Sequence, residues 1–132
     1  MKEVERKYLL KYLPENLKSV EIKQAYLIFE GNKHLRVRIV DNTTAFICFK
    51  TLLSDVERIE YEYQIPIEDA NEMYNSSLFR LTKTRYSTEF KGNKIDIDFF
   101  DENTGVVEIE YTGEYDIPDY CGEDVTDQKE YS

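Results

Sequence analysis

Along eight stretches of this chain, residues 2–10, 21–30, 33–40, 44–51, 57–65, 79–90, 93–100 and 105–112, side chains alternate between two kinds with a period of two. Successive side chains of a strand point to opposite faces, so the period predicts eight β-strands, most with one ionic and one apolar face. Turn-forming residues separate them at Gly31-Asn32, Asp41-Asn42, Gly92-Asn93 and Asn103-Thr104-Gly105. Connections that short pair neighbouring strands antiparallel. Pro66 to Tyr74, with Glu68 and Asp69 early, predicts one short helix, and residues 14–19 predict one more turn or two. The expected fold class is all-β with minor α: an eight-stranded antiparallel sheet, closed or strongly curled, with one or two short helices outside.

The ionic face is unusual in repeating like charges along one strand. It carries Glu3, Glu5 and Lys7; Arg36 and Arg38; Lys50; Arg58, Glu60 and Glu62; Lys83 and Arg85; Asp96 and Asp98; Glu108 and Glu110. The opposite faces carry residues such as Val37, Ile39, Ile95, Ile97, Val107 and Ile109. An antiparallel sheet with one solvated face accounts for this alternation. The like-charge pairs fit a second reading, a closed barrel with the ionic side chains inside. There the carboxylates are oxygen ligands suited to Mg²⁺ or Mn²⁺. The Lys and Arg side chains suit phosphoryl oxygens, Arg through paired hydrogen bonds. At the low effective dielectric of a barrel interior, such a set is best satisfied with a polyanion and a cation bound.

Charge placement excludes some partners. The net charge is −10, yet residues 1–100 hold 16 acidic and 16 basic side chains, while residues 101–132 hold 11 acidic residues and one basic residue, Lys129. A neutral body with an acidic end lacks the basic stripe that tracks duplex nucleic acid. No apolar run approaches the ~18 residues of a membrane span, and the opening MKEVERKYLL is charged where a signal peptide is apolar. Cys48 and Cys121 have no metal-site or redox-motif spacing, which suits reduced thiols in the cytoplasm. His34, the only histidine, is expected at an exposed strand start. The apolar outer faces, with few helices to cover them, suggest a homodimer through Tyr61, Tyr63 and Tyr111.

Taken in order, the motifs resemble the CYTH domain family of triphosphate tunnel metalloenzymes. Glu3-Val4-Glu5-Arg6-Lys7 matches its ExExK signature, Gln24-Ala25-Tyr26-Leu27 its QxYL and Leu35-Arg36-Val37-Arg38 its RxR. Phe49-Lys50, Arg58-Ile59-Glu60-Tyr61-Glu62-Tyr63, Lys83-Thr84-Arg85-Tyr86, Ile95-Asp96-Ile97-Asp98-Phe99-Phe100 and Val107-Glu108-Ile109-Glu110 follow in the family's order. Asp124-Val125-Thr126 with Tyr131-Ser132 is similar to its closing EVT…YS.

The resemblance implies one tunnel domain over residues 1–132, an eight-stranded closed barrel whose interior is the site. It implies that Lys7, Arg36, Arg38, Lys50, Arg58, Lys83 and Arg85 bind a small-molecule triphosphate. It implies that Glu3, Glu5, Glu60, Glu62, Glu108 and Glu110, with Asp98 assisting, hold one or two Mg²⁺ or Mn²⁺ ions. Asp96 is either a ligand or buried polar structure. Lys7 and Tyr26 would orient or deprotonate the water that attacks the terminal phosphorus. The implied activity is a triphosphatase acting on inorganic triphosphate or a nucleoside or organic triphosphate. Alternatives are a class IV-like adenylate cyclase releasing pyrophosphate, an RNA 5′-triphosphatase, and a non-catalytic nucleotide or polyphosphate binder. Two departures are Glu130, where the family often has arginine, and a C-terminal segment (about 114–132) shorter than usual, which predicts a more open tunnel end.

Overall fold

Nine strands and one helix make up residues 2–128, the part of the chain that the computed structural model describes. The strands are β1 (Lys2–Leu10), β2 (Ser19–Glu30), β3 (Lys33–Val40), β4 (Thr44–Leu52), β5 (Glu57–Ile65), β6 (Phe79–Phe90), β7 (Asn93–Phe99), β8 (Gly105–Glu110) and β9 (Cys121–Asp124). The helix, α1 (Ile67–Ser76), lies between β5 and β6. The sheet order is β5-β4-β3-β2-β6-β7-β8-β1, and a β1–β5 pairing closes it into a ring of eight antiparallel strands. The tight turns behave as their residues dictate. Asp41 and Asn42 both take positive φ, 51° and 57°, the left-handed pair of a tight hairpin turn, closed by Thr43 N–H donating to the Val40 carbonyl at 3.0 Å.

The apolar cores lie outside the ring. Ala25, Val37, Ile39 and Ala45 on the outer faces of β2, β3 and β4 pack under α1, against Ala70, Ile67 and Met73. On the far side Tyr8, Ile95, Ile97, Val107 and Ile109 are covered by Tyr111, Tyr115, Tyr120 and Leu17. Tyr111 therefore packs against a core, its ring 4.2 Å from that of Tyr115 and inclined to it by 31°, while Tyr61 and Tyr63 stay exposed on β5. With both sequestered faces turned outward, the polar alternate residues are left inside.

Two expectations need correction. Residues 14–19 form no helix: Asn16 sits in the left-handed region at φ 65°, and the segment lays Leu17 on the outer core. A ninth strand was not expected. β1 gives Lys2, Glu3 and Val4 to β5 on one edge, and farther along the same edge it gives Tyr8 and Leu10 to β9. The motif Asp124-Val125-Thr126 fixes this junction. Asp124 accepts from Arg6 at 2.7 Å, Val125 N–H donates to the Lys7 carbonyl at 2.9 Å, and the Lys7 amide donates to Thr126 Oγ1 at 3.0 Å. Glu130, Tyr131 and Ser132 lie outside the described residues.

Candidate active site

Cross-strand register decides which side chains share a face, and here it assembles the ionic residues into rows around the ring interior. Tyr26, Arg36, Cys48 and Glu62 form one row across β2, β3, β4 and β5. His34, Lys50 and Glu60 form the next across β3, β4 and β5. On the other wall, Lys7, Glu108, Asp96 and Ser87 run across β1, β8, β7 and β6, and Glu5 faces Glu110. Glu3 faces Arg58 across the closing seam, and Arg85 faces Asp98. Every residue that the sequence placed on the ionic face thus faces the interior.

Ion pairs fill the interior, and one of them, Arg58 to Glu5, joins the two walls. Arg36 reaches Glu60 at 3.4 Å, Arg38 pairs with Glu62, and Arg58 reaches Glu5 at 2.7 Å. Lys7 Nζ is 3.8 Å from Glu5. Asp98 has no exposed surface; Arg85 donates to both of its oxygens, at 2.7 and 2.8 Å, and Lys83 Nζ adds a contact at 2.8 Å. Asp96 accepts from Ser87 at 2.7 Å and lies 3.5 Å from Arg85. The Tyr26 hydroxyl accepts from Gln24 Nε2 at 3.0 Å. Tyr26 and Lys7 stand on strands opposite one another in the ring, so they flank the lumen rather than touch.

Two features of the interior suit ligands. The first is a pair of orphaned donors: Nε of Arg36 and Nε of Arg58 are buried without a hydrogen-bond partner. Buried N–H groups are ordinarily satisfied, and phosphoryl oxygens are the natural acceptors for guanidinium groups. The second is a crowd of carboxyls around the seam. Burial pushes Glu3 up to about 8, helped by its hydrogen bond to Glu60 and by the charges of Glu60, Glu110 and Glu5. Glu5 is also raised, by burial and by Glu108, against Arg58 and Lys7. For Glu60 burial works upward, but Lys50, the Cys48 hydrogen bond, Arg36 and the Glu3 hydrogen bond outweigh it and hold it at about 2. Glu3 therefore keeps a proton and shares it with ionised Glu60. Glu108 is likewise held at about 2, where Lys7, Lys83, Arg85 and Lys50 overcome burial. Carboxyls packed so closely that one must stay protonated are the donor set a hard divalent ion replaces a proton to bind.

Three neighbours of the site escaped sequence reasoning. His34 is buried, contrary to expectation: it faces the interior opposite Lys50 and stacks on Phe29. Burial, then Lys50, Arg36 and Arg58, lower its pKa. Cys48 Sγ and carboxylate oxygens of Glu60 and Glu62 lie within 4.8 Å of one another. Burial lifts the thiol to about 11, so it stays protonated and donates to Glu60 at 2.8 Å rather than competing as a thiolate ligand. Gln24 is buried beside Tyr26. Each lies at an alternate position of its strand, which was the available signal. Lys50 is itself pulled down to about 8 by burial and by Arg36 and Arg58.

The CYTH domain pattern matches residues 1–120. The chain is 34% identical to an inorganic triphosphatase of Acetivibrio thermocellus, over 98% of this chain and 89% of that protein. It is similar to a solved inorganic triphosphatase at 30% identity and a TM-score of 0.68, covering 98% of this chain and 92% of the other. A conserved protein of Pyrococcus furiosus, 24% identical over 85% of this chain and 80% of its own, has the same fold with a TM-score of 0.69.

Proposed function

The chain belongs to the CYTH domain family, and from that premise we propose that it is a divalent-metal-dependent triphosphatase that hydrolyses inorganic triphosphate inside the barrel. The observation that carries this reading is the pair of buried, unpartnered Nε donors of Arg36 and Arg58 on the interior face, beside carboxyls crowded enough to keep a proton. A polyanion satisfies the donors and a divalent ion satisfies the carboxyls.

Arg36, Arg38, Lys50, Arg58, Lys83, Arg85 and Lys7 form the anion clamp. Arg85 and Lys83 are held rigid by Asp98, which serves the clamp as their anchor. Glu3, Glu5, Glu60, Glu62, Glu108 and Glu110 would hold one or two ions, Mg²⁺ or Mn²⁺ by the hardness of an all-carboxylate set. When bound, the ion draws charge from the phosphoryl oxygens and makes water more acidic. In the hydrolysis, water forms the new bond to the terminal phosphorus, the phosphoanhydride bond breaks, and pyrophosphate leaves with its charge neutralised by the clamp. Lys7 Nζ and the Tyr26 hydroxyl orient the attacking water from opposite walls. Because Gln24 donates to the Tyr26 oxygen, the Tyr26 O–H remains free to donate.

No described helix is long and apolar enough to cross a membrane. The cytoplasm suits a protein with two free thiols, and the exposed Tyr61 and Tyr63 on β5 suit a homodimer.

Phosphate release with Mg²⁺ or Mn²⁺ tests the reading across inorganic triphosphate, ATP, thiamine triphosphate and triphosphorylated RNA. Metal-dependent orthophosphate release from inorganic triphosphate is expected. Pyrophosphate with a cyclic nucleotide from ATP would replace the reading by a cyclase, and tight binding without turnover would replace it by a binder.

A further inference from the structure

Among the described residues, three buried side-chain atoms have no hydrogen-bond partner: Nε of Arg36, Nε of Arg58 and Oε1 of Gln24. The two arginine atoms are donors and suit phosphoryl oxygens. The glutamine atom is an acceptor, and a phosphoryl oxygen has no proton to give it. Gln24 is only 2% exposed, so an unpaired Oε1 carries the cost of a desolvated amide oxygen. What satisfies it is a small donor.

The surroundings say which donor. Gln24 lies two residues before Tyr26 on the same face of β2, and its register partner on β3 is Arg38 of the clamp. Gln24 Nε2 donates to the Tyr26 hydroxyl at 3.0 Å. The Tyr26 ring is itself held in place. A β-bulge after Tyr26 turns Phe29 toward His34; those two rings stack with centroids 4.1 Å apart, and Tyr26 stands edge-on to them at 5.9 and 6.2 Å. The amide thus spends its donor on a fixed phenol and keeps its acceptor. The phenol, having accepted, keeps its proton. A single water answers both, donating to Gln24 Oε1 and accepting from the Tyr26 O–H, whereas a phosphoryl oxygen answers only the second.

We propose that Gln24 seats the attacking water through Oε1, a third group on the nucleophile beside Tyr26 and Lys7. The assignment rests on the triphosphatase reading above and deepens it. In the step, the water oxygen bonds to the terminal phosphorus while the phosphoanhydride P–O bond breaks, its electron pair leaving with pyrophosphate. One water proton stays on the orthophosphate formed, and the other passes to the departing pyrophosphate. Gln24 takes neither proton: a neutral amide orients water without competing for its proton.

Gln24→Met keeps the length of the side chain and removes both hydrogen bonds, and Gln24→Leu repeats the test with another apolar shape. With inorganic triphosphate and Mg²⁺, kcat should fall roughly 10- to 100-fold. KM, and calorimetric affinity for the non-hydrolysable diimido analogue of triphosphate, should stay within about threefold, since the clamp is untouched. The melting temperature should hold or rise, because an unpaired buried acceptor is gone. In a Tyr26→Phe background, Gln24→Met should lower kcat further, because Oε1 touches the water independently of the phenol. A kcat within about twofold of wild type, a fall matched by weaker analogue binding or by earlier melting in both variants, or no further fall in the Tyr26→Phe background would overturn the water seat and leave the triphosphatase standing. Wild-type protein that binds the analogue but releases no orthophosphate from triphosphate would overturn the triphosphatase reading, and the water seat with it.

Discussion

The proton shared by Glu3 and Glu60 ties cation binding to pH. Glu3 is held protonated up to about pH 8, while Glu60 is ionised above about 2. A divalent ion that takes both carboxylates must expel this proton. Competition against a group titrating near 8 weakens apparent affinity ~10-fold at pH 7 and ~100-fold at pH 6, relative to its limit at high pH. Calorimetric titration of Mn²⁺ at pH 6, 7 and 8, each in two buffers of different ionisation enthalpy, measures both the slope and the protons released. About tenfold tightening per unit and release of about one proton per ion are expected at pH 6 to 7. Glu3→Gln should bind more weakly and lose most of the slope. The same pair sets a stability trend with a definite sign. A raised acid contributes its stability below its unfolded value of 4.5 and loses it as pH rises through about 8. The metal-free protein should therefore lose melting temperature between about pH 5 and 8 and level off above, and Mg²⁺ should reverse the loss. An affinity constant within about twofold from pH 6 to 8, with no proton release, would refute the shared-proton site.

Arg36→Ala removes a guanidinium whose charge-assisted hydrogen bonds are worth about 1.5–3 kcal/mol, so kcat/KM for inorganic triphosphate should fall ~10- to 150-fold; a change in melting temperature alone would return Arg36 to a structural role. Glu110→Gln should abolish metal-dependent turnover with circular dichroism and melting temperature intact. Glu5→Gln should lose turnover and also melt earlier, because it strips the 2.7 Å partner from Arg58, which is 4% exposed. Asp98→Ala leaves Arg85 and Lys83 buried without their shared anion, a loss of about 3–5 kcal/mol by the usual cost of breaking a buried pair, and an unchanged melting temperature would mean that solvent reaches both cations. Hydrogen exchange at Lys2–Val4 and Glu57–Ile59 should slow when Mg²⁺ binds, since the β1–β5 seam is closed by those residues and one further bond, Glu5 N–H to the Val56 carbonyl at 2.9 Å, and unchanged protection would separate metal binding from barrel closure.

The strands were legible because period two survives any arrangement of the sheet. Ring closure was not, because a solvated face and a lumen demand the same alternation; the ordered motifs tipped the choice. β9 carries Cys121-Gly122-Glu123-Asp124, with no apolar alternation to announce it, and exists because β1 has an edge free beyond its contact with β5. Asn16 looked compatible with a helical turn until its left-handed backbone placed Leu17 on the core. Within the site, the face of each ionic residue could be read from parity, but its partner could not. Asp98 resembled a metal ligand in sequence and is engaged on both oxygens by Arg85 and Lys83. His34 stands at a strand start, where exposure is the ordinary outcome, and is covered through the bulge that turned Phe29 toward it.

Like charges recur along β3, β6, β7 and β8 because most of their neutralisation happens between strands. β3 and β6 contribute Arg36, Arg38, Lys83 and Arg85; β5, two strands from β3, answers with Glu60 and Glu62, and β7, next to β6, with Asp98. The pattern fails at one place. Where β5, β1 and β8 meet, Glu5 faces Glu110 and Glu3 meets Glu60, acid against acid. Arg58 and Lys7 offset part of that charge through Glu5, and a retained proton offsets more. The remaining deficit of positive charge coincides with the seam that closes the barrel, so a divalent ion held by these carboxyls would also neutralise the joint.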